Sequence, residues 1–446
     1  MTGSPTAMVC AGCGYHADPD DPLPFRCPRA GRDDVDHVMR RELDAHAIRF
    51  PEGDEANPFV RYRTLFHSYH LARRHGLDDA DHIAIVEELD RAVASVDGRG
   101  FGVTPFARAD ALSDALGFEP AGGVWVKDET GGVAGSHKAR HLMGVMLYLL
   151  AAGRAGLLAE GAASGELAIA SCGNAGLAAA VIARAAGRSL RVFVPAWADP
   201  AILDRLRHLG AAVVPCQREP GSAGDPAYLA FREAIAAGAI PFTCQGPENG
   251  LAIEGGATLG YEIVSSVVGS EAPPPDRVVV QAGGGALASS TIQAFDDAIR
   301  LGVSIPLPRV HAVQPAGVHP LERAYRLLTD GTADEDAIRD VLARARRQRS
   351  RLMWPWETEP RSVATGILDD ETYDWAAILD GTVRSGGHPI VVTEDDLRDA
   401  NSLAADRTGI PVDHTGSAGL AGVLSLRRTG GIEPSERVAV LFTGRR

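Results

Sequence analysis

Three times in this chain a short apolar run passes through a glycine-bearing turn into a helical stretch, and a fourth apolar run ends in such a turn near the C-terminus. That alternation constrains the fold more than any other feature. The first turn is Lys127-Asp128-Glu129-Thr130-Gly131-Gly132-Val133-Ala134-Gly135-Ser136-His137-Lys138, with an apolar helix opening at the lysine. The second follows the buried strand Glu166–Ser171 and reads Ser171-Cys172-Gly173-Asn174-Ala175-Gly176 before an alanine-rich helix through Ala186. Arg277–Val280 feeds Gln281-Ala282-Gly283-Gly284-Gly285-Ala286-Leu287 and another helix, and Arg437–Phe442 ends in Thr443-Gly444. Further strands are expected at 190–194, 211–215 and 241–244, and helices at about 136–152, 200–209 and 226–237. Such alternation predicts an α/β fold with mostly parallel sheets covered on both faces.

The turns also carry chemistry. A lysine at the mouth of a sheet can lose its charge, and a neutral Lys138 is what a Schiff base with an aldehyde cofactor requires. A glycine turn feeding a helix N-terminus aims backbone N–H groups at an anion, which makes the loop at Ser171 a carboxylate site. Successive glycines at 283–285 let the backbone close around a phosphate where a Cβ would obstruct. No G-x-G-x-x-G with a following acidic residue is present, so the phosphate of a mononucleotide-sized cofactor is expected rather than a dinucleotide. Each turn also has a plain structural reading: a helix-opening lysine, a ligand-free turn, a strand-capping threonine. Ser136 is expected either as N-cap or as a hydroxyl on the cofactor side.

Taken together, the four turns resemble the fold type II pyridoxal-phosphate enzymes, the tryptophan synthase β superfamily, and within it most closely the threonine synthase-like and threonine dehydratase-like proteins. Thr104-Pro105-Phe106, Ile253-Glu254-Gly255-Gly256-Ala257-Thr258 and Val412-Asp413-His414-Thr415-Gly416-Ser417-Ala418 are similar to further segments of that family. The resemblance implies two three-layer α/β/α domains, a large one from 46–140 and 250–446 and a small mobile one from 141–249. It makes Lys138 the catalytic lysine. It puts His137, Asn174, Gly283, Gly284, Gly285, Ala286 and Thr443 on pyridoxal 5'-phosphate, and Ser171, Gly173 and Ala175 on the substrate. Ala286 stands where the family has a fourth glycine, and His137 where it commonly has phenylalanine.

The implied chemistry is elimination or replacement at Cβ or Cγ of a small amino acid, as a threonine synthase-like lyase. A hydroxyl such as that of Thr443 leaves the pyridine nitrogen unprotonated, which disfavours transamination. A serine/threonine dehydratase, a β-replacement synthase and a non-catalytic relative of the same fold stay open. Residues 1–45 form a knuckle-like segment: Cys10-Ala-Gly-Cys13 and Cys27-Pro-Arg-Ala30-Gly31 resemble a zinc knuckle whose fourth cysteine is Ala30. His16, Asp36 or His37 would have to complete the set with Cys10, Cys13 and Cys27, and a metal-free knuckle is the alternative. Cys172, Cys216 and Cys244 are expected as buried, inert thiols.

A net charge of −14 argues against nucleic acid or anionic membrane as partner. Few, unpatterned cysteines and no secretory or spanning segment point to a cytoplasmic enzyme, expected as a homodimer with a small amino-acid substrate.

Overall fold

A computed structural model describes residues 4–158, 165–218, 224–329 and 334–445. Its strands, in chain order, are β1 Thr6–Cys10, β2 Met39–Leu43, β3 Phe106–Arg108, β4 Gly123–Asp128, β5 Leu167–Ala170, β6 Leu190–Pro195, β7 Ala212–Cys216, β8 Ile240–Pro241, β9 Arg277–Gln281, β10 Arg309–Pro315, β11 Ile390–Val392 and β12 Arg437–Phe442. The chain divides into two compact units. One takes residues 1–30, 37–103 and 132–258; the other takes 31–36, 104–131 and 259–446. The architecture is the α/β class with parallel sheets that the alternation implied. Among the described residues no helix is long and apolar enough to cross a membrane.

The first unit holds a parallel sheet in the order β7-β6-β5-β8 and the antiparallel pair β1–β2. β8 is shorter than the expected strand at 241–244, although Phe242 N still donates to Ala168 O at 2.9 Å. Phe231, Ala227 and Ala234 of the helix Pro226–Ala236 pack on Ala168 and Phe193 of the sheet. The helix Lys138–Arg154 is apolar nearly all round and buried along most of its length, which marks it as a central rather than a surface helix. It crosses the start of the helix Ala252–Val268 at glycines. A Cβ at Gly255 would sit 2.3 Å from Arg140 O and 3.1 Å from Gly144 Cα, and one at Gly256 would meet the His141 ring at 2.0 Å. Only glycine lets these backbones approach so closely.

In the second unit the order is β11-β10-β9-β12-β4-β3, parallel except for β3. β9 is buried at every position, as a central strand of a covered parallel sheet should be. One buried ion pair stands out: Lys127 Nζ donates to the Glu262 carboxylate at 2.5 Å and to Thr104 O at 2.6 Å. The two side chains are 1% and 0% exposed. Loss of either partner would strand a charge at a cost of about 3–5 kcal/mol.

The glycine crossing is directly testable. Gly255→Ala is expected to destabilise by about 2–3 kcal/mol, because backbone rather than flexible side chain meets the new methyl. Gly153→Ala, in the same lysine-bearing helix but with nothing within 4 Å, should gain about 1 kcal/mol. Urea midpoints of the two variants against the parent measure both.

Candidate active site

Lys138 is the first residue of its helix, which follows the tight turn Val133–Gly135. The turn contains a non-glycine residue in the left-handed region, Ala134 at φ 55, whose N–H donates to Asp97 at 3.0 Å. That conformation costs about 1–2 kcal/mol and is held by the surrounding contacts. Ser136 is not the helix N-cap that sequence allowed. It is extended (φ −161, ψ 161), His137 occupies the cap position, and no side chain caps the helix. The Ser136 hydroxyl is buried with no hydrogen-bond partner among the described residues, so the cap reading fails.

The next imidazoles are closely placed. His137 and His141 meet edge to face at 5.7 Å between ring centroids. His141 Nδ1 lies 2.8 Å from the Ala252 carbonyl, so that nitrogen carries the proton. Burial, helped by the nearby Lys138 charge, pushes the His141 pKa down to about 3. Arg140 is buried too, donating to Thr258 Oγ1 at 3.0 Å and Gly102 O at 3.3 Å.

In the same unit β5 ends at Ala170, and Ser171 turns the chain into the helix Asn174–Ala185. Ser171 Oγ accepts from Gly173 N at 3.3 Å and Gly176 N at 3.2 Å, so the hydroxyl braces its own loop. A Cβ at Gly176 would lie 2.6 Å from Ser171 O, which requires glycine there. Asn174 and Ala175 are half-buried in the first turn. This helix packs on both the turn Val133–Gly135 and the helix of Lys138, so the lysine and the asparagine loop are neighbours within one unit.

The second unit carries the other predicted residues. β9 and β12 are adjacent and parallel, so the turns at their C-terminal ends fall side by side. Gln281, the last residue of β9, donates through Nε2 to Thr443 Oγ1 at 2.7 Å and to Gly416 O at 3.0 Å. Because the amide also faces Leu441 O at 3.3 Å, its NH2 end is fixed and Thr443 is the acceptor in this pair. Gly283, Gly284 and Gly285 form the turn before the helix Ala286–Arg300, with Gly285 at φ 101. Gly284 N donates to an Asp369 carboxylate oxygen at 2.7 Å. A Cβ at Gly283 would meet Asp369 at 2.4 Å, and one at Gly284 would meet the Tyr373 ring at 2.8 Å.

Sequence reading missed three features. Gln281 was seen only as the start of a turn, and its orienting contact with Thr443 spans 162 positions. Asp369 lies in an acidic run that no spacing rule links to Gly284. The third was available in the sequence: Lys127 and Lys138 are the chain's only lysines. Since Lys127 is committed to Glu262, Lys138 is the one lysine outside that buried pair. Of the three thiols expected to be buried, Cys244 is; Cys172, in the turn after β5, and Cys216, the last residue of β7, are only half-buried.

A family profile described as "Pyridoxal-phosphate dependent enzyme" matches residues 98–444, and the chain belongs to that family. It is a pyridoxal-phosphate-dependent enzyme, related by sequence to threonine synthases and tryptophan synthase β chains. A threonine synthase of Methanocaldococcus jannaschii is 24% identical over 346 residues, 77% of this chain and 74% of that protein. A probable D-serine dehydratase of Paracidovorax citrulli is 37% identical over 153 residues, 30% of this chain and 32% of that one. Among solved structures, processed threonine deaminase isoform 2 from Solanum lycopersicum superposes with a TM-score of 0.57 at 17% identity. It covers 83% of this chain and 91% of that one, and this likeness shows the fold.

Buried histidines give the protein a defined pH response. His67, His141 and His311 are pushed down to about 3 and His82 to about 4, in each case chiefly by burial. Unfolded imidazoles titrate near 6.5, so below that pH the unfolded chain binds protons the folded chain refuses. Stability is therefore full above about pH 6.5 and falls as pH drops towards 4, by at most about 1.4 kcal/mol per pH unit for each histidine. Thermal midpoints from pH 7.5 to 5 should decline, with a shallower slope in His141→Asn; a flat profile would contradict neutral burial.

Proposed function

We propose that this enzyme catalyses elimination or replacement at Cβ or Cγ of a small amino acid, with Lys138 as the residue that carries pyridoxal phosphate. The observation that carries the reading is that Lys138, the sole lysine outside the buried Lys127–Glu262 pair, opens a helix in a family that uses this cofactor. Two further features fit such a group. The buried Ser136 hydroxyl lacks a partner among the described residues. A backbone N–H of the triple-glycine turn engages a carboxylate oxygen, so the turn accepts anions, and glycine is required there by close neighbours.

The assignments follow residue by residue. Main-chain N–H groups of Gly283, Gly284, Gly285 and Ala286 would hold the phosphate, and His137 is a further candidate for it. Asn174 would hold the ring oxygen and Thr443 the ring nitrogen; Gln281 positions the Thr443 hydroxyl. Ser171, Gly173 and Ala175 take the substrate carboxylate at the helix N-terminus, where the backbone dipole favours negative charge. Because Ser171 Oγ already accepts from Gly173 N, its own hydroxyl proton is the one to offer. The bound cofactor withdraws electrons from the substrate's α-carbon. Lys138, half-buried and beside the neutral His141, would take up the α-proton.

The long threonine synthase alignments favour a leaving group at Cγ or Cβ followed by addition. The denser local match to a D-serine dehydratase supports a second reading, ammonia release from serine or threonine.

Cofactor loading should give a band at roughly 410–430 nm, absent in Lys138→Ala. A panel of serine, threonine, O-phosphohomoserine and O-acetylserine, scored for ammonia, phosphate or acetate, separates the two reactions; release from none of them refutes the proposal. Asp369→Asn should tighten pyridoxal-phosphate binding about tenfold, since the phosphate no longer displaces a charge-assisted hydrogen bond of about 1.5–3 kcal/mol. Fluorescence titration measures it, and weaker binding would remove Asp369 from the phosphate site.

A further inference from the structure

The segment from Ala11 to Val38 joins β1 to β2 and contains no strand or helix of its own. So long an irregular connection has little regular main-chain hydrogen bonding of its own and needs another source of order. Within the first unit, four potential ligands converge there: Cys10, Cys13, Cys27 and His37, whose ligand atoms all lie within 4.8 Å of one another. Cys10, Cys27 and His37 are buried, and none of the cysteines is in a disulfide.

The spacings match a tetrahedron. With Zn–S bonds near 2.3 Å and Zn–N near 2.05 Å, tetrahedral edges are about 3.8 Å for sulfur to sulfur and about 3.6 Å for sulfur to nitrogen. Cys13 Sγ to Cys27 Sγ is 3.7 Å, and Cys10 Sγ to His37 Nδ1 is 3.5 Å. The sulfurs are also surrounded as thiolates would be. Cys10 faces the N–H groups of Gly12 and Cys13, Cys13 that of Tyr15, and Cys27 that of Arg29. Such amide-to-sulfur contacts offset negative charge on a ligating sulfur and orient it.

We propose that Cys10, Cys13, Cys27 and His37 bind one structural zinc ion, with His37 supplying the ligand that Ala30 cannot. The set is closed, three thiolates and an imidazole, so no position is left for substrate. Asp36 is engaged elsewhere, 3.4 Å from Arg349, and His16 is exposed and outside the cluster.

The site's neighbours show what the metal would hold. Two residues before Cys27, the Phe25 ring meets Tyr148 edge-on at 5.6 Å, and Phe25 O accepts from Gly250 N at 3.0 Å. Tyr148 lies on the Lys138 helix, and its hydroxyl donates to Asp21 O at 2.9 Å. Arg26 pairs with Glu248 at 3.3 Å. The metal would thus order the segment that contacts the Lys138 helix at Tyr148.

The test uses the full chain, expressed with zinc and purified without chelator. Elemental analysis should find about one zinc per chain. The content should fall at least several-fold in His37→Ala and Cys27→Ser, and be kept in His37→Cys and His16→Ala. Replacing zinc by cobalt(II) in the unmutated chain should give the visible bands of a tetrahedral thiolate site, altered in His37→Cys; this arm does not depend on the weaker variants folding. Chelation should lower the thermal midpoint of the parent. A chain purified without zinc, a zinc content indifferent to His37→Ala, a thermal midpoint unmoved by chelation, or an octahedral cobalt spectrum would each overturn the assignment.

Discussion

Backbone contact between the helix Lys138–Arg154 and the start of Ala252–Val268 is the constraint on which the lysine's position depends. Gly144, Gly255 and Gly256 leave no room for a single methyl group. The same contact seals His141, which must stay neutral to remain where it is. A lysine at the first position of a helix fixed in this way has its Cα defined to within the tolerance of packed backbone, while its flexible side chain is free to follow the chemistry.

The second unit uses a different device. Its residues of interest lie at strand ends, and the register of parallel neighbours sets their separations. β9 and β12 pair through Val278 and Ala439, which carries Gln281 and Thr443 to the same edge. Gln281 then fixes the threonine hydroxyl with a buried amide whose orientation two carbonyls determine. Such an amide, satisfied on its donor side, specifies geometry more sharply than apolar packing does.

What the sequence made legible was whatever depends on local order. Apolar runs, glycine turns and helix starts were visible, and with them the α/β class and the family; residues 138, 174, 283–286 and 443 stand at the helix starts and strand ends those turns foretold. Pairing over distance was not. Nothing in the spacing of Gly284 and Asp369 announces a hydrogen bond between them, because loop-to-loop contacts obey no period. The helix opens at Lys138 as expected, but the N-cap alternative for Ser136 failed for a related reason. Ser136 has the residue type of an N-cap, but tertiary packing buried its hydroxyl and moved the cap to His137. The knuckle is the intermediate case: three cysteines were plain, yet the choice of His37 over His16 or Asp36 needed three-dimensional convergence.

The central claim is that Lys138 holds the cofactor, and the chain's two lysines make that claim unusually clean to examine. Borohydride reduction of the cofactor-loaded enzyme, followed by peptide mass mapping, should place a single pyridoxyl adduct on Lys138 and leave Lys127 unmodified. An adduct on Lys127, or none on either residue, would contradict the account.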